Sequence, residues 1–242
     1  MGIAIVIAFV FSFTSASSVP FQVCKRSDAN FNNCLKDAIN GALQLLENGL
    51  PRYGIESIQP IKMGSWEAPG SPPLAFTQQF QNARVYNFPF STIENLTLHL
   101  DERNFSLEMF GHNQAIVARM SYKFDNAIVD GDDLSSQGFL SYSYWDIDLW
   151  VQLVGSVIES EGTKIINITD SDMTLTRIKD FGVEILSNET ERAKRLTKFV
   201  VDNTEYVLET DKRGYEIGYA NSFKTIANQI FQRFGVDVLF PQ

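Results

Sequence analysis

The feature that most constrains this fold is a long stretch, residues 58–185, in which apolar side chains recur at every second position. This spacing is typical of strands that bury one face. Turn-forming residues interrupt it at 69–73, 101–104, 111–113 and 130–133. The pattern therefore predicts a long antiparallel meander, with strand segments at 74–80, 96–100, 105–109, 116–124 and 147–153.

The alternation changes phase once within this stretch. Two sets of apolar residues have opposite parity, and they are Leu140, Tyr142 and Tyr144 in the first set and Ile147, Leu149 and Val151 in the second. A β-bulge near 145–146 would bring both sets to the same face of the sheet.

A helix is predicted before the meander, at residues 29–48, with Ser27 or Asp28 as N-cap and Gly49 as the stop. Its apolar stripe consists of Phe31, Leu35, Ala38, Ile39, Ala42, Leu45 and Leu46. The stripe is compatible with ordinary core packing and equally with lining a ligand site.

Helical spacing returns after the meander, at 189–210 and 215–234, with a break predicted at 212–214. The second of these helices carries an apolar stripe made of Ile217, Ala220, Ile226, Ala227, Ile230, Phe231 and Phe234. Its polar face lacks the dense Lys and Arg of membrane-surface helices, which favours packing into the domain.

The N-terminus indicates export. Residues 2–13 are apolar but too few to span a bilayer, and small residues follow them. We therefore expect a signal peptide at 1–17 and one mature domain at 18–242, in which no linker composition is visible. In an oxidising compartment the two cysteines, Cys24 and Cys34, are expected to form a disulfide, the alternative being two buried free thiols.

Four glycosylation sequons agree with export, and their asparagines are Asn95, Asn104, Asn167 and Asn188. Because a glycan must point to water, the first two also orient their strands. They place Leu96, Leu98 and Leu100, and then Phe105, Leu107 and Met109, on the inner face.

Charge and motifs argue against several function classes. The net charge of −9 disfavours a nucleic-acid partner. Neither His99 nor His112 has metal-ligand spacing to another His or Cys, and no nucleophile elbow, phosphate loop or dinucleotide motif occurs. Asp146 and Asp148 are expected to face solvent, and 130–133 to form a hairpin turn. No catalytic residue, metal or cofactor is predicted.

Several ordered motifs together resemble one protein family. They are Cys-Lys-Arg-Ser-Asp at 24–28 with Cys34, Gly-Leu-Pro at 49–51, Gly-Ile at 54–55, Ile-Gln-Pro-Ile at 58–61, Ala-Arg-Val-Tyr at 83–86, Ala-Asn-Gln-Ile-Phe at 227–231 and Leu-Phe-Pro at 239–241. Across the mature chain this is similar to the takeout and juvenile-hormone-binding protein family of insects. With two cysteines, the second disulfide of the hormone-binding branch is missing, so the takeout branch is favoured.

The resemblance implies an α+β fold in which a long helix is wrapped by a strongly curved antiparallel β-sheet, an elongated tubular lipid-binding (TULIP-like) architecture. It also implies a Cys24–Cys34 bridge and a secreted, extracellular carrier of haemolymph or a similar fluid. Its partner would be a small hydrophobic ligand, such as a juvenile-hormone-like terpenoid or a fatty acid, held in an internal tunnel. We expect no integral membrane span, and leave docking to a receptor or membrane open.

Inward parity nominates the ligand-binding residues, in which the hydroxyls of Tyr122, Tyr142 and Tyr144 would hold a polar head group. The full set is Ile39, Leu46, Phe76, Phe80, Leu96, Leu98, Leu100, Phe105, Leu107, Met109, Met120, Tyr122, Tyr142 and Tyr144. Two alternatives stay open. One is a glycosylated recognition module with a filled core, and the other is a lipid-modifying hydrolase that uses His99.

Overall fold

The structure, a computed structural model, describes residues 19–68, 70, 72, 74–186 and 190–242, without the side chain of Leu186. The predicted signal peptide at 1–17 and the sequon residue Asn188 lie outside these residues. The described helices are α1 (Phe31–Leu46), α2 (Glu191–Asp202), α3 (Thr204–Arg233) and α4 (Val236–Leu239). The described strands are β1 (Ile61–Lys62), β2 (Trp66–Ala68), β3 (Thr77–Tyr86), β4 (Thr92–Leu100), β5 (Asn104–Asp125), β6 (Ile128–Val129), β7 (Asp132–Asp133), β8 (Ser136–Ser160) and β9 (Thr163–Leu186).

Seven of the described strands form one antiparallel sheet, so the predicted α+β class with a large meander is confirmed. Three very long neighbours, β5, β8 and β9, run the length of the sheet, and β4 and β3 pair with successive parts of β5. Register shifts interrupt β3, β4 and the β8–β9 pair. Such shifts bend and twist strands, which lets the sheet curve around the helices.

Two predicted turns behave differently. The one at 130–133 is confirmed as the hairpin between β6 and β7. The turn predicted at 111–113 is wrong, because β5 continues through these residues. Gly111 leaves room there for the neighbouring strand, since a Cβ on it would lie 2.8 Å from the Thr92 carbonyl oxygen.

The phase change in β8 is confirmed. Asp146 has φ +52°, and both predicted apolar sets are buried, the one before it (Leu140, Tyr142 and Tyr144) and the one after it (Ile147, Leu149 and Val151). The pairing with β5 keeps one register across this point, from Ala115 opposite Trp145 to Asn113 opposite Ile147. The β-bulge predicted near 145–146 is therefore wrong, because β5 and β8 change phase together without an extra residue on either strand. Residue 146 divides the inner face into two parts, which differ in how they are packed.

Helix α1 lies where expected but begins later. Its N-cap is Asn30, not Ser27 or Asp28, because the Asp28 carboxylate accepts the Asn30 amide and forms a turn before the helix. The helix stops before Gly49, whose φ is +70° and whose added Cβ would lie 2.6 Å from the Ser57 nitrogen. Leu45, predicted on the buried stripe, is 45% exposed.

The predicted helix break at 212–214 is wrong. Helix α3 runs through it for 30 residues, and the break instead falls at Asn203. Gly214 is needed within the helix because the Trp66 indole packs on it, and a Cβ there would lie 2.8 Å from Trp66 Cδ1. This close packing offsets the roughly 1 kcal/mol cost of a helical glycine. Ile217, predicted on the inner stripe, is 48% exposed.

Two asparagine amides fasten the long helices to the sheet. Asn40 of α1 donates to the Ile93 carbonyl at 3.1 Å and accepts the Ile93 amide at 2.7 Å. Asn228 of α3 makes the same pair of bonds with Ile168, at 3.0 and 2.8 Å. Ile93 borders the register shift in β4, and Ile168 that in the β8–β9 pair. These side chains therefore satisfy backbone groups that the sheet leaves free.

Candidate functional site

An apolar cavity of about 200 Å³ lies between α1, α3 and the inner face of the sheet. Each surrounding element contributes apolar side chains to it, among them Leu35 and Ile39 from α1, and Ile226 and Ile230 from α3. The sheet contributes Ile93, Leu98, Leu107, Met109, Leu149, Val151 and Leu153. A lining of this kind selects for a lipophilic occupant.

Small residues on the two helices explain why this space is open. Ala38 and Ala42 of α1 line the cavity, as does Ala227 of α3. On α3 the inward residues follow one another at intervals of four, as Tyr215, Tyr219, Phe223, Ala227 and Phe231. Protein interiors are normally close-packed. An alanine in a row of aromatic residues therefore leaves a gap that no neighbour fills.

One end of the cavity reaches the surface beside the disulfide. Cys24 and Cys34 are bonded, with 5.8 Å between their Cα atoms, as the resemblance implied. Gln22 lines the cavity while being exposed to solvent, which marks the mouth. It is the one polar side chain among the described lining residues. A polar head group would meet its amide there.

The first and last described segments of the chain, residues 21–26 and 234–241, meet beside this mouth. The Arg26 amide donates to the Pro241 carbonyl at 2.8 Å, and the Arg26 guanidinium pairs with Asp237 at 3.2 Å. Phe21 packs edge-on against Phe234, with 5.8 Å between ring centroids. The disulfide thus anchors the N-terminal segment to α1, while Arg26 joins it to the C-terminus.

A pair of aromatic rings closes the opposite, inner end. Phe88 and Phe223 line the cavity, their centroids are 4.6 Å apart, and both are buried. Tyr219 stacks behind Phe223 at 6.3 Å and is not part of the lining. We call the part of the molecule on the mouth side of this pair the cavity half.

Beyond the pair lies a solid aromatic cluster, which we call the aromatic half and define by Trp66, Phe80, Tyr142, Tyr144 and Tyr215. Tyr215 contacts the other four, at centroid distances of 5.0 to 6.4 Å. Phe80, Tyr142, Tyr144 and Tyr215 are at most 1% exposed. These rings fill the space between α3 and the sheet.

The aromatic half encloses a carboxyl group. Asp211 of α3 is 1% exposed, and it accepts a hydrogen bond from the Tyr142 hydroxyl at 3.0 Å and one from the Gln78 amide at 3.4 Å. Burial away from water raises the pKa of Asp211 to about 7. Burial likewise raises the pKa of Tyr144, whose hydroxyl has no hydrogen-bond partner among the described residues.

The structure separates the predicted ligand-binding residues into two groups. Five line the cavity, and these are Ile39, Leu46, Leu98, Leu107 and Met109. The other nine lie outside its lining, and these are Phe76, Phe80, Leu96, Leu100, Phe105, Met120, Tyr122, Tyr142 and Tyr144. Tyr142 and Tyr144 are in the second group because they pack in the aromatic half, and Tyr122 is in it because its ring packs on Phe124. The reason is that parity identifies the inner face but not where that face borders empty space.

Several lining residues were not nominated from the sequence. The aromatic pair Phe88 and Phe223 and the alanines of both helices are the main ones. The alanines lie on the predicted apolar stripes. A small residue within such a stripe is therefore the sequence signal that could have identified them as lining residues. Phe88 follows β3 in a short turn that periodicity does not reveal.

The polar residues weighed for catalysis lie on the outer surface. Asp148 accepts hydrogen bonds from Arg177 Nε at 2.6 Å and is 2.9 Å from His112 Nδ1, and the Arg177 guanidinium together with His112 lowers its pKa to about 2. Asp146 joins them through Arg177 and Lys179. His99 is exposed on β4. His112, which lies within the segment predicted as a turn at 111–113, is instead part of strand β5 and belongs to this ion cluster.

The sequon residues and remaining polar groups complete the surface. Asn95 and Asn104 are exposed and Asn167 is half-buried. Over the described ranges, no three His, Cys, Asp or Glu side chains are grouped closely enough to hold a metal ion. None of the helices described here combines the length and apolar character required to cross a bilayer.

Comparison with known proteins places this architecture. The family model for haemolymph juvenile hormone binding protein matches residues 4–241. The chain belongs to the haemolymph juvenile hormone binding protein family. The chain is also 24% identical over 234 residues to the circadian clock-controlled protein daywake of Drosophila melanogaster. The alignment covers 92% of this chain and 88% of the relative. The predicted resemblance to the takeout and juvenile-hormone-binding protein family is thereby confirmed.

A solved structure supports the fold. The crystal structure of Epiphyas postvittana Takeout 1 superposes with a TM-score of 0.72 over 91% of this chain and 100% of that one, at 15% identity. At this identity the likeness concerns the fold alone. The tubular helix-and-sheet architecture expected for a member of the haemolymph juvenile hormone binding protein family is confirmed.

Proposed function

We propose that this protein is a secreted carrier that binds one lipophilic molecule in the apolar cavity. The observation that carries the proposal is a hollow enclosed by two helices and a sheet, with apolar walls and one polar side chain, Gln22, at its mouth. Membership of a family named for a hormone-binding protein supports it. The apolar leader, the disulfide and the sequons support the proposal that the protein is secreted.

The size of the cavity narrows the ligand class. Its volume of about 200 Å³ is below the roughly 300–1,000 Å³ of sites for drug-sized molecules. A slender single chain, such as a terpenoid ester or one fatty acyl chain, suits it better than a two-chain lipid. Burying about 400 Å² of alkyl surface contributes about 10 kcal/mol before association costs. We therefore expect an affinity in the micromolar to nanomolar range.

The lining favours a carrier over the two alternatives. A recognition module with a filled core would be close-packed, so alanines that open a space between its helices are not expected in it. A hydrolase acting at His99 would need this residue near bound lipid, but His99 is exposed on β4 and does not line the cavity. The glycosylation of Asn95, Asn104, Asn167 and Asn188 is part of the proposal for an exported protein.

A displacement titration tests the proposed function. Protein from an oxidising host should bind a fluorescent fatty-acid analogue saturably, with one site, and release it to juvenile hormone or a long-chain lipid. The variant Ala42→Phe fills the cavity and should weaken binding at least tenfold. Gln44→Phe adds the same ring to an exposed position of α1 and should bind like the wild type. Absence of saturable binding, or equal loss in both variants, would contradict the proposal.

A further inference from the structure

We propose that the ring pair Phe88–Phe223 limits the length of ligand chain that the cavity accepts. This rests on the proposed carrier function and adds a specificity-determining element to it. The pair stands at the inner end of the cavity, opposite the mouth at Gln22. A chain that enters with its polar head at the mouth therefore meets these rings with its tail.

The positions of lining residues define where the cavity stops. On α3 the lining begins at Phe223 and continues toward the C-terminus, while Tyr219, one turn earlier, is excluded from it. On β8 it begins at Leu149, whereas Ile147 is buried outside it. On the sheet side, Ile147 lies opposite Asn113, the residue that binds the turn containing Phe88, so the lining of β8 stops where the ring pair begins.

Hydrogen bonds hold the pair in place from the sheet side. Phe88 lies in a short turn that starts after Asn87, and Asn113 of β5 binds both sides of this turn. Its amide nitrogen donates to the Asn87 carbonyl at 3.0 Å and to the Ser91 hydroxyl at 2.8 Å. Asn113 is 2% exposed. Because buried and fully paired amides resist displacement, Phe88 cannot easily yield to a longer chain.

The other ring is supported from the helix side. Phe223 has Tyr219 stacked behind it, and Tyr219 is 1% exposed. Phe223 cannot move toward the aromatic half without displacing that ring from a close-packed environment. Both rings of the pair are thus held in place by their neighbours, and the pair separates the cavity from the aromatic half.

The physical consequence is a break in the relation between chain length and affinity. Each methylene that enters an apolar site strengthens binding by about fourfold. Once the tail reaches the rings, further methylenes must fold back or stay in water at the mouth, so the gain stops. Saturated alcohols of increasing length therefore show a rise followed by a plateau or decline.

Truncating Phe223 should shift the chain length at which affinity stops rising. Phe223→Ala opens the space up to Tyr219, about 6 Å along the helix axis. An extended chain advances about 1.2 Å per bond, so the optimum should shift by up to about five carbons. Phe223→Leu removes less of the ring and should give a smaller shift in the same direction, which protects the test if the alanine variant does not fold.

The experiment is a displacement titration of n-alcohols from eight to twenty carbons against a fluorescent fatty-acid analogue. Phe231→Ala is the matched control, since it removes the same ring from the same lining and helix, two turns nearer the mouth. It should leave the optimum unchanged. A shift with Phe223→Ala but not Phe231→Ala supports the proposal. An unbroken rise with length in the wild type, or equal shifts in both variants, overturns it while leaving the carrier function intact. If no alcohol or fluorescent analogue binds, the carrier function itself fails.

Discussion

The cavity half and the aromatic half share one sheet and one long helix, but over the described residues the apolar cavity is lined by the first and by none of the residues that define the second. Both halves are packed on the same row of inward-facing side chains of α3. Tyr215 and Tyr219 fill the space in the aromatic half, whereas Ala227 leaves it open in the cavity half. The difference teaches that backbone architecture supplies the tube, while the size of a few side chains decides which part of it is empty.

The two halves also differ in how they handle polar groups. The cavity half keeps Gln22 at its mouth and no other polar side chain in its described lining. The aromatic half buries Asp211 together with Tyr142 and Gln78. Ionising the Asp211 carboxyl away from water costs free energy. The stability of the aromatic half should therefore depend on pH more strongly than that of the cavity half.

The largest expected effect is a contrast between truncating one ring in each half. Phe80 is fully buried and packs against Trp66, Phe124, Tyr142 and Tyr215. Phe80→Ala should reduce the free energy of unfolding by about 3–5 kcal/mol. Phe231→Ala should cost about half as much, because one side of that ring already faces a hollow. Urea unfolding of both variants measures the difference, and equal losses would break the distinction between the halves.

A second effect concerns pH. The folded pKa of Asp211 is about 7, raised by burial, against about 3.9 in the unfolded chain. Between these values the folded state binds more protons, so stability falls as pH rises from about 4 to 7 and the penalty is complete above 7. Asp211→Asn should therefore stabilise the protein at pH 8, by up to about 4 kcal/mol.

The pH dependence itself is the diagnostic part of this prediction. The advantage of Asp211→Asn should shrink toward zero below pH 4, where the wild-type carboxyl is protonated in both states. Thermal unfolding at a series of pH values measures it. Asp37→Asn, at an exposed position of α1, controls for the loss of one negative charge. An advantage that is constant across pH would contradict a buried, ionisable Asp211.

The third effect concerns the disulfide, which acts on the cavity half. Replacing Cys24 and Cys34 together by serine releases a short loop, at a cost of about 3 kcal/mol. Because the bridge holds Gln22 and the N-terminal segment at the mouth, ligand affinity should fall as well. Combined with Phe80→Ala, the losses should add within about 0.5 kcal/mol, since the sites do not touch. Strong non-additivity would show that the halves do not behave separately.

Much of this architecture could be predicted from the sequence because it depends on local periodicity. The inner face of β4 and the start of β5 follow from the alternation around Asn95 and Asn104, and the phase change at Asp146 follows from two apolar sets of opposite parity. The break at Asn203 could not be predicted, since Gly214 looks like a helix stop until Trp66 is known to pack on it.

The cavity could be predicted only in part, for a physical reason. Periodicity states that Leu107 and Tyr142 both face inward, but it does not state what faces them. Leu107 lines the cavity together with the alanines, and Tyr142 contacts Tyr215 of α3. Such pairings join residues that are distant in sequence, and periodicity does not reveal them. For this reason the sequence predicts Tyr142 and Tyr144 as ligand-binding residues, whereas in the structure they pack against Tyr215.

The most direct test of the central claim is native mass spectrometry of gently purified wild-type protein beside Ala227→Phe, which places a ring in the hollow. The account predicts one lipid adduct on the wild type and its loss in the variant, with folding of both verified by circular dichroism. Equal adducts on the two proteins, or a wild type that never carries lipid even after incubation with long-chain alcohols, would contradict it.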